Sequence, residues 1–347
     1  MKKYFTLLFS LFIVSSIFAG NPDRQGEAGA PELLMNPWAK SAGLHSMTTA
    51  NVYGVEAMRL NIAGISRINQ TDINVSRALY LRGTDININS IGIVQKVGKS
   101  GAIGLSLMAL DFGDIPVTTT FQPEGTGATF SPNFFNLGIG YSHTFENKVS
   151  VGILFRAVSQ STQELNAFGF AIDAGVQYVA GEMEEFKFGI SLRNVGSPMS
   201  FEGQGLAVPA PNPDSDIDFP LTLEQRSEDF ELPSVLNIGA SYDINIGEIN
   251  RVTLLGNFTA NSFSQDQIGG GVEYSLKELF QLRAAYKYEV GSENEVTAPI
   301  YTGLSLGGTI GAPLSKEDKN RIFAIDYAYR QTRLWDGTHN ISVRISL

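Results

Sequence analysis

The 347-residue sequence contains no cysteine. Disulfides, thiolate nucleophiles and a lipid-bearing N-terminal cysteine are therefore all excluded. Histidine is nearly absent as well, and His45, His143 and His339 are scattered without any metal-ligand spacing. We therefore expect no cofactor and no bound metal.

Two further absences narrow the class of protein. No stretch after residue 20 approaches 18 uninterrupted apolar residues, which predicts that no helix spans a membrane. The chain also has fewer basic than acidic residues: 25 Lys and Arg against 35 Asp and Glu, which gives a net charge of −10. Nucleic-acid binding calls for basic patches, so we expect no nucleic-acid partner.

The N-terminus has the pattern of a secretory signal peptide. Lys2 and Lys3 precede a mostly apolar run over 4–18, and the small residues Ala19 and Gly20 follow. That order of charge, apolar run and small residues predicts a signal peptide over 1–19 and export of the chain.

The last eight residues alternate without a fault between apolar and polar side chains. Side chains of a strand point to opposite faces with a period of two, so this end has one apolar and one polar face. Termini usually fray, whereas the last strand of an outer-membrane barrel closes the cylinder. We interpret the segment as a C-terminal assembly strand with its apolar face toward lipid: Ile341, Val343, Ile345 and Leu347.

Alternation of this kind recurs along the chain, most sharply over 168–178. A soluble β-sandwich or adhesin also alternates. The membrane reading is favoured by Gly and Ala on the polar face, by aromatic residues at strand ends and by lone charges that lipid would not tolerate. The sequence predicts 14 strands, near 74–82, 87–97, 100–112, 133–145, 149–160, 166–180, 184–195, 234–246, 250–262, 266–275, 280–290, 299–310, 320–331 and 339–347.

The connections between these strands fit an antiparallel barrel with short periplasmic turns and long outer loops. Most connections on the expected periplasmic side are tight, with 311–319 as the exception. The two longest connections, 113–132 and 196–233, both fall on the expected outer side. The fold class predicted is all-β: a 14-stranded antiparallel transmembrane β-barrel over 74–347 in the bacterial outer membrane.

Residues 20–73 show no clean alternation, and prolines interrupt their early part. A 14-stranded barrel is too wide for its own side chains to fill, so we expect this N-terminal segment to plug the lumen as a hatch. Its stretches 39–44, 50–57 and 60–65 resemble the PorV/PorQ family. Asn61, Ala63 and Gly64 match that family's Trp-Asn-Pro-Ala-Gly-Leu-like motif, while Leu60 and Ile62 replace its Trp and Pro.

The resemblance implies a FadL-like barrel in a Bacteroidetes outer membrane that serves type IX protein secretion. Such a protein would be non-enzymatic and would bind a large translocon barrel and exported cargo proteins through its outer loops. The alternative is a FadL-like channel for hydrophobic small molecules, in which the hatch yields and a side opening releases the ligand.

Two patterns remain as possible sites of chemistry or recognition. Gly303 to Gly307 fits the G-x-S-x-G hydrolase pattern, but Ser305 alternates within a predicted strand and lacks the required sharp turn. The acidic and apolar loop over 196–233 is the better candidate, either as a partner-binding loop or as a solvated lid. Its distinctive residues are Asp214, Asp216, Asp218, Phe219 and Glu224. The three aspartates open like a calcium loop, but Phe219 and Gln225 break the pattern.

Overall fold

The computed structural model describes residues 24–211, 220–247, 249–292, 298–315 and 321–347. Fourteen antiparallel strands close into one barrel, and each barrel strand pairs with the next one along the chain. The strands are β1 (Thr71–Leu79), β2 (Asn87–Val97), β3 (Gly101–Asp111), β6 (Asn133–Phe145), β7 (Val149–Thr162), β8 (Leu165–Ala180), β9 (Phe186–Gly196), β12 (Val235–Ile246), β13 (Asn250–Asn261), β14 (Gln267–Leu276), β15 (Phe280–Glu289), β16 (Tyr301–Pro313), β17 (Ile322–Thr332) and β18 (Thr338–Ser346).

Two small hairpins lie outside the barrel wall, within its two longest connections. β4 (Ile115–Pro116) pairs with β5 (Thr129–Phe130), and β10 (Ala207–Ala210) pairs with β11 (Leu221–Glu224). Both connections leave the same end of the barrel, which we call the loop end. The opposite end carries the turns 98–100, 146–148 and 277–279 and the C-terminal strand's last residues, and we call it the turn end.

The barrel closes where the sequence predicted, between its first and last strands. Asp72 is paired with Ser346 and Val75 with Val343 in the β1–β18 register. The first strand was predicted too late, however, at 74–82 instead of 71–79. The strand ends at Leu79 because Tyr80 and Leu81 enter a turn, in which Leu81 has a positive φ of 47°. Arg77 faces outward two residues from the loop end of β1, where the cost of an outward charge falls to about 0–1 kcal/mol.

The other predicted strands agree with the structure to within a few residues at each end. The connection predicted as 311–319 also shifts, since β16 continues to Pro313 and β17 starts at Ile322. Its central residues, 316–320, lie outside the described part of the chain.

The outer surface of the barrel is apolar, as predicted from the alternation. In β8, Phe168, Phe170 and Ile172 are exposed while Ala171 and Asp173 between them are buried. Exposed aromatic side chains form two bands. Near the turn end lie Tyr141, Phe145, Tyr178, Phe186, Tyr242, Tyr274 and Phe280, and near the loop end lie Phe135, Phe168, Phe170, Tyr286 and Tyr288. Aromatic girdles of this kind mark the two lipid–water interfaces of a membrane barrel.

Before β1 the chain forms only short helical turns. They span Pro31–Leu34, Ala39–Ala42, Gly54–Glu56, Ala57–Leu60 and Ile62–Arg67. Within the described residues, no helix is long and apolar enough to cross a membrane. These turns contact the barrel wall on several sides, and the last of them packs on β6, β7 and β8.

Candidate functional site

Residues 30–68 lie among the inward-facing side chains of the barrel and are almost entirely buried. Hydrogen bonds join this lumen segment to strands on different sides of the wall. Ser342 Oγ of β18 accepts from Ala39 N (2.9 Å), Ser191 of β9 donates to Leu60 O (2.8 Å), and Ser305 of β16 donates to Gly43 O (3.2 Å). The hydroxyls of the polar face thus satisfy backbone groups that the segment's short helical turns leave unpaired.

The structure places the predicted hatch motif at the tightest point of this packing. Asn61 is buried, and its Oδ1 accepts from Ala63 N (3.2 Å), which caps the turn Ile62–Arg67. Its Nδ2 donates to Thr49 O (2.8 Å) within the segment and to Val176 O (3.1 Å) on β8. At Gly64 a Cβ would lie only 2.1 Å from Val52 O, so this position needs glycine. The motif residues therefore fix the segment's own fold and one contact with the wall.

Charged side chains face the inside of the barrel, as predicted, and several are paired with one another. Arg156 NH2 lies 2.7 Å from Asp173 Oδ2, and Arg283 Nε lies 2.6 Å from Glu273 Oε2. Asp326 accepts a looser approach from Arg344, at 3.6 Å. All of these side chains are nearly fully buried, so each partner offsets the desolvation cost of the other.

At the loop end the start of the described chain is joined to the long connection between β9 and β12. Ala28 forms a β-bridge with Glu231, and Gly29 N donates to Glu231 O (3.0 Å). Arg24 pairs with Glu231 (3.0 Å) and stacks 4.4 Å over the ring of Phe263. An apolar cluster lies beneath these contacts: Ala30, Leu33, Val158, Ala167, Ala171, Met199 and Leu232, with Phe201 and Phe230 against it.

A second apolar cluster lines the loop-end half of the barrel between β1 and β6. Its buried members are Ala78, Ile88, Met108 and Leu110, and Met35, Tyr80, Phe112 and Phe134 pack against them. The rings of Phe112 and Phe134 meet edge to face at a centroid distance of 4.9 Å. We call this set the upper apolar cluster; its four partly buried members leave some apolar surface accessible near the loop end.

A polar cavity of about 480 Å³ lies at the turn end, below the lumen segment. Its floor comes from residues 40–56 and its walls from inward positions of strands all around the barrel. We call it the lower cup. The charged side chains that line it are Lys40, Glu56, Arg67, Asp72, Lys96, Lys99, Glu184, Lys187, Arg251, Glu273 and Arg344.

Burial and neighbouring charges shift the pKa values of three groups in the lumen segment. Burial raises the pKa of Glu56, and the nearby Asp326 raises it further. Burial also raises the pKa of Glu32, whose carboxylate accepts two hydrogen bonds from Gln160 Nε2 (3.0 Å each). The ammonium of Lys40 lowers the pKa of Tyr53, whose hydroxyl accepts from Lys40 Nζ at 2.9 Å. The carboxyl group of Glu56 in the lower cup therefore keeps its proton to a higher pH than a carboxyl group in bulk water does.

The other predicted site residues are placed only in part. Asp214, Asp216, Asp218 and Phe219 of the acidic loop lie outside the described residues. Glu224 ends β11, is exposed and is paired with Ala207 of β10, so it projects from the loop end. In β18, Ile341 and Val343 are exposed on the outer face, while Arg344 between Val343 and Ile345 is buried inside.

Sequence reasoning missed both the lower cup and the upper apolar cluster. The side chains of the lower cup are scattered from Lys40 to Leu347 and come together only through closure of the barrel. Strand alternation alone does indicate that Lys187, Arg251 and Arg344 face inward, because each lies opposite an outward apolar residue. Their common depth depends on strand stagger, which the sequence does not display.

Comparisons with known proteins bear on the fold. No protein-family model and no curated protein matches the chain. Among solved structures, the chain resembles CymD, a monoaromatic hydrocarbon channel, with a TM-score of 0.55 and 15% identity over 90% of this chain and 96% of that one. It is similar to the Ralstonia pickettii toluene transporter TbuX (TM-score 0.54, 13% identity, 89% and 97% covered). It also resembles a Pseudomonas aeruginosa FadL homologue (TM-score 0.55, 12% identity, 89% and 98% covered).

At these identities the likeness establishes a shared fold, which in this chain is a closed barrel of 14 antiparallel strands. These neighbours are described as a monoaromatic hydrocarbon channel, a toluene transporter and a FadL homologue, and at these identities only their fold is carried over to this chain. None of the comparisons supports the more specific resemblance to PorV/PorQ proteins, to type IX secretion or to a Bacteroidetes source.

Proposed function

We propose that the protein is an outer-membrane channel for hydrophobic small molecules, with the lumen segment 30–68 as its plug. The observation that carries the proposal is the fold shared, over about 90% of the chain, with a monoaromatic hydrocarbon channel. Outer-membrane barrels have short periplasmic turns and long extracellular loops, so we place the loop end outside the cell and the turn end in the periplasm. β1 starts and β18 ends at the turn end.

The upper apolar cluster and the lower cup support a route that starts at the loop end and leaves sideways. The upper apolar cluster offers an apolar surface for a ring-sized solute, next to Met35 of the plug. The lower cup is lined by charge, so an apolar molecule would gain nothing there while it displaced hydration from ions. The wall itself is irregular beside the plug, because pairing of β15 with β16 ends at Tyr286 and Leu304 and a register shift follows at Tyr301.

The proposal is tested by uptake of radiolabelled toluene into cells that express the chain. Expression should raise the initial uptake rate above that of cells with empty vector. Met108→Glu places a charge in the upper apolar cluster and should abolish the increase. Ile115→Glu is the matched control, because Ile115 lies in an exposed outer hairpin and the variant should fold and retain uptake. Ile103 lies on the same strand as Met108 but faces lipid, so the same substitution there is unsuitable as a control. Equal uptake rates with and without the protein would refute the proposal.

A second function, service in protein export as in PorV/PorQ-type proteins, is favoured by the density of contacts on the plug. Asn340 alone donates to both Asn36 O (3.1 Å) and Pro37 O (2.7 Å), and Gln177 to Thr49 O and Val52 O. A plug so firmly bonded suits a closed barrel that acts by recognition. Affinity capture of the detergent-extracted protein separates the two functions: a co-purifying large barrel or exported proteins support export, and recovery alone argues against it.

A further inference from the structure

The lower cup differs in charge from the rest of the protein. The whole chain carries a net charge of −10. The cup is nevertheless lined by seven basic side chains against four carboxylate side chains. A local excess of positive charge in an acidic protein focuses anions toward that site.

Most of the inner cations are already matched by carboxylates. Arg251 NH2 lies 3.3 Å from Glu273, Lys187 pairs with Asp243, and Arg344 lies 3.6 Å from Asp326. The uncompensated charge is therefore concentrated at the periplasmic rim, where the turn end meets the final residues of the plug.

Three basic side chains form this rim: Arg67, Lys96 and Lys99. Lys96 Nζ donates to the backbone oxygens of Ser66 (2.5 Å) and Ile68 (3.3 Å), and Arg67 NH2 donates to Lys148 O (3.1 Å). Within the described part of the chain, none of the three forms a salt bridge with a carboxylate. Neutral carbonyls hold the first two in place. Glu184, which also lines the cup, acts on Arg67 electrostatically without a salt bridge, so the rim keeps an excess of positive charge for a ligand.

Inside the rim, buried polar atoms that line the cup have no hydrogen-bond partner among the described residues. They include acceptor oxygens of Asp72 and Gln177, which are 1% and 0% exposed, and of Glu56. The guanidinium Nε atoms of Arg67, Arg251 and Arg344 also lack a hydrogen-bond partner among the described residues. A buried polar group without a partner costs about 1–3 kcal/mol, so a ligand that supplies hydroxyl donors and an anionic acceptor would be stabilised here.

We propose that the lower cup binds a hydroxylated phosphate ester, with its phosphate held by Arg67, Lys96 and Lys99 and its hydroxyls donating to Asp72, Gln177 and Glu56. A volume of about 480 Å³ lies within the range of small-molecule sites. Such a group can come from a free polyol phosphate in the periplasm or from a glycerophosphate lipid headgroup of the inner leaflet. The inference does not rest on transport of hydrophobic molecules, which uses the opposite end of the barrel.

Calorimetric titration of the full-length protein in a non-ionic detergent with glycerol 1-phosphate tests the site. Binding should be saturable, and Lys96→Gln combined with Lys99→Gln should weaken it at least about tenfold, as loss of charge-assisted hydrogen bonds does. Lys277→Gln is the matched control, because Lys277 lies in a turn of the same barrel end but not in the cup. Absence of saturable binding, or an equal loss in Lys277→Gln, would overturn the proposal.

Native mass spectrometry of the same preparations distinguishes the two sources. A glycerophospholipid retained by the parent protein and lost from the double variant identifies the headgroup of a lipid. Saturable glycerol 1-phosphate binding without retained lipid identifies a free solute. Inorganic phosphate alone should bind more weakly than glycerol 1-phosphate, and equal affinity would remove the hydroxyl contacts from the proposal. Toluene uptake is expected to persist in the double variant, so failure of one proposal leaves the other measurable.

Discussion

Asn61 of the plug and Gly175 of β8 lie so close that a Cβ on Gly175 would stand 2.0 Å from Asn61 Oδ1. The wall must therefore be glycine where the motif residue reaches it, and Asn61 uses that closeness to bond Val176 O. Glycine on the inward face recurs at such approaches: Gly152 faces Ile62 and Gly189 faces Thr49. The glycines on the polar face thus leave room for the lumen segment to approach the wall.

Gly175→Ala should destabilise the folded barrel by about 1–3 kcal/mol, because Asn61 must move and lose its hydrogen bonds. The measurement is the temperature at which the folded, fast-migrating form disappears on a gel. Gly256→Ala is the control, since its new methyl would meet nothing closer than 3.8 Å. A change as small in Gly175→Ala as in the control would mean that the plug packs more loosely than the structure shows.

The two faces of the wall can be separated with one kind of substitution. Phe155→Arg puts a charge on the lipid face in the middle of β7 and should block assembly, at a cost of about 2–4 kcal/mol near mid-membrane. Thr144→Arg puts the same charge into the lower cup, where it stays hydrated. The yield of heat-modifiable protein in outer-membrane fractions should fall sharply only for Phe155→Arg. Similar yields for both would show that the face assignment is wrong.

These face assignments illustrate what the sequence could predict. Alternation in 168–178 predicts both the strand and its outer side chains, because lipid and lumen impose opposite chemistry on neighbouring residues. The same rule placed β1 three residues too late, because the apolar Tyr80 and Leu81 look like strand residues but form a turn. The sequence therefore predicts that each strand exists, but it does not predict where a strand ends near a membrane interface.

The contacts inside the barrel were much harder to predict from the sequence. Asn61, Ala63 and Gly64 could be singled out by resemblance, but their partners Thr49, Val52 and Val176 follow from no sequence pattern. The rim of the lower cup joins Arg67 of the plug to Lys96 and Lys99 of the β2–β3 turn region. Such contacts depend on how the plug folds within the lumen, which no periodicity encodes.

A disulfide tests whether the plug must move. Ser66 Oγ of the plug lies 2.9 Å from Ser142 Oγ of β6, so cysteines at both positions lie close enough for a bridge. The chain has no other cysteine to interfere. Oxidised Ser66→Cys/Ser142→Cys should lose toluene uptake and regain it with reductant. The control Ser76→Cys/Ser342→Cys joins two wall strands whose hydroxyls also lie 2.9 Å apart, and it should transport in both states. Uptake unaffected by oxidation of the first pair would mean that the plug stays in place.

Asp326 holds two buried cations, with Arg344 Nε at 3.6 Å and Arg283 NH1 at 4.0 Å. Asp326→Asn leaves both guanidinium groups with less compensation and should lower the free energy of unfolding by about 3–5 kcal/mol. The urea midpoint in detergent micelles measures the change. Asp336→Asn, at an exposed position beyond β17, should leave the midpoint unaltered. A shift below about 1 kcal/mol for Asp326→Asn would show that the pairs contribute little.

His45 should make the plug sensitive to acid. Burial lowers the pKa of His45 well below its usual 6.5, and Lys287 and Arg330 lower it further. Between that depressed pKa and 6.5 the unfolded chain binds more protons than the folded one, so stability is complete above pH 6.5 and falls as the pH drops below it. The slope is at most about 1.4 kcal/mol per pH unit for one group. The His45 contribution to the urea midpoint should therefore fall between pH 7 and pH 5, against the opposite contributions of the buried Glu32 and Glu56. His45→Asn should reduce that fall, since asparagine does not titrate and tolerates the positive φ of 51° at this position. An identical pH dependence in His45→Asn would assign the acid sensitivity to other groups.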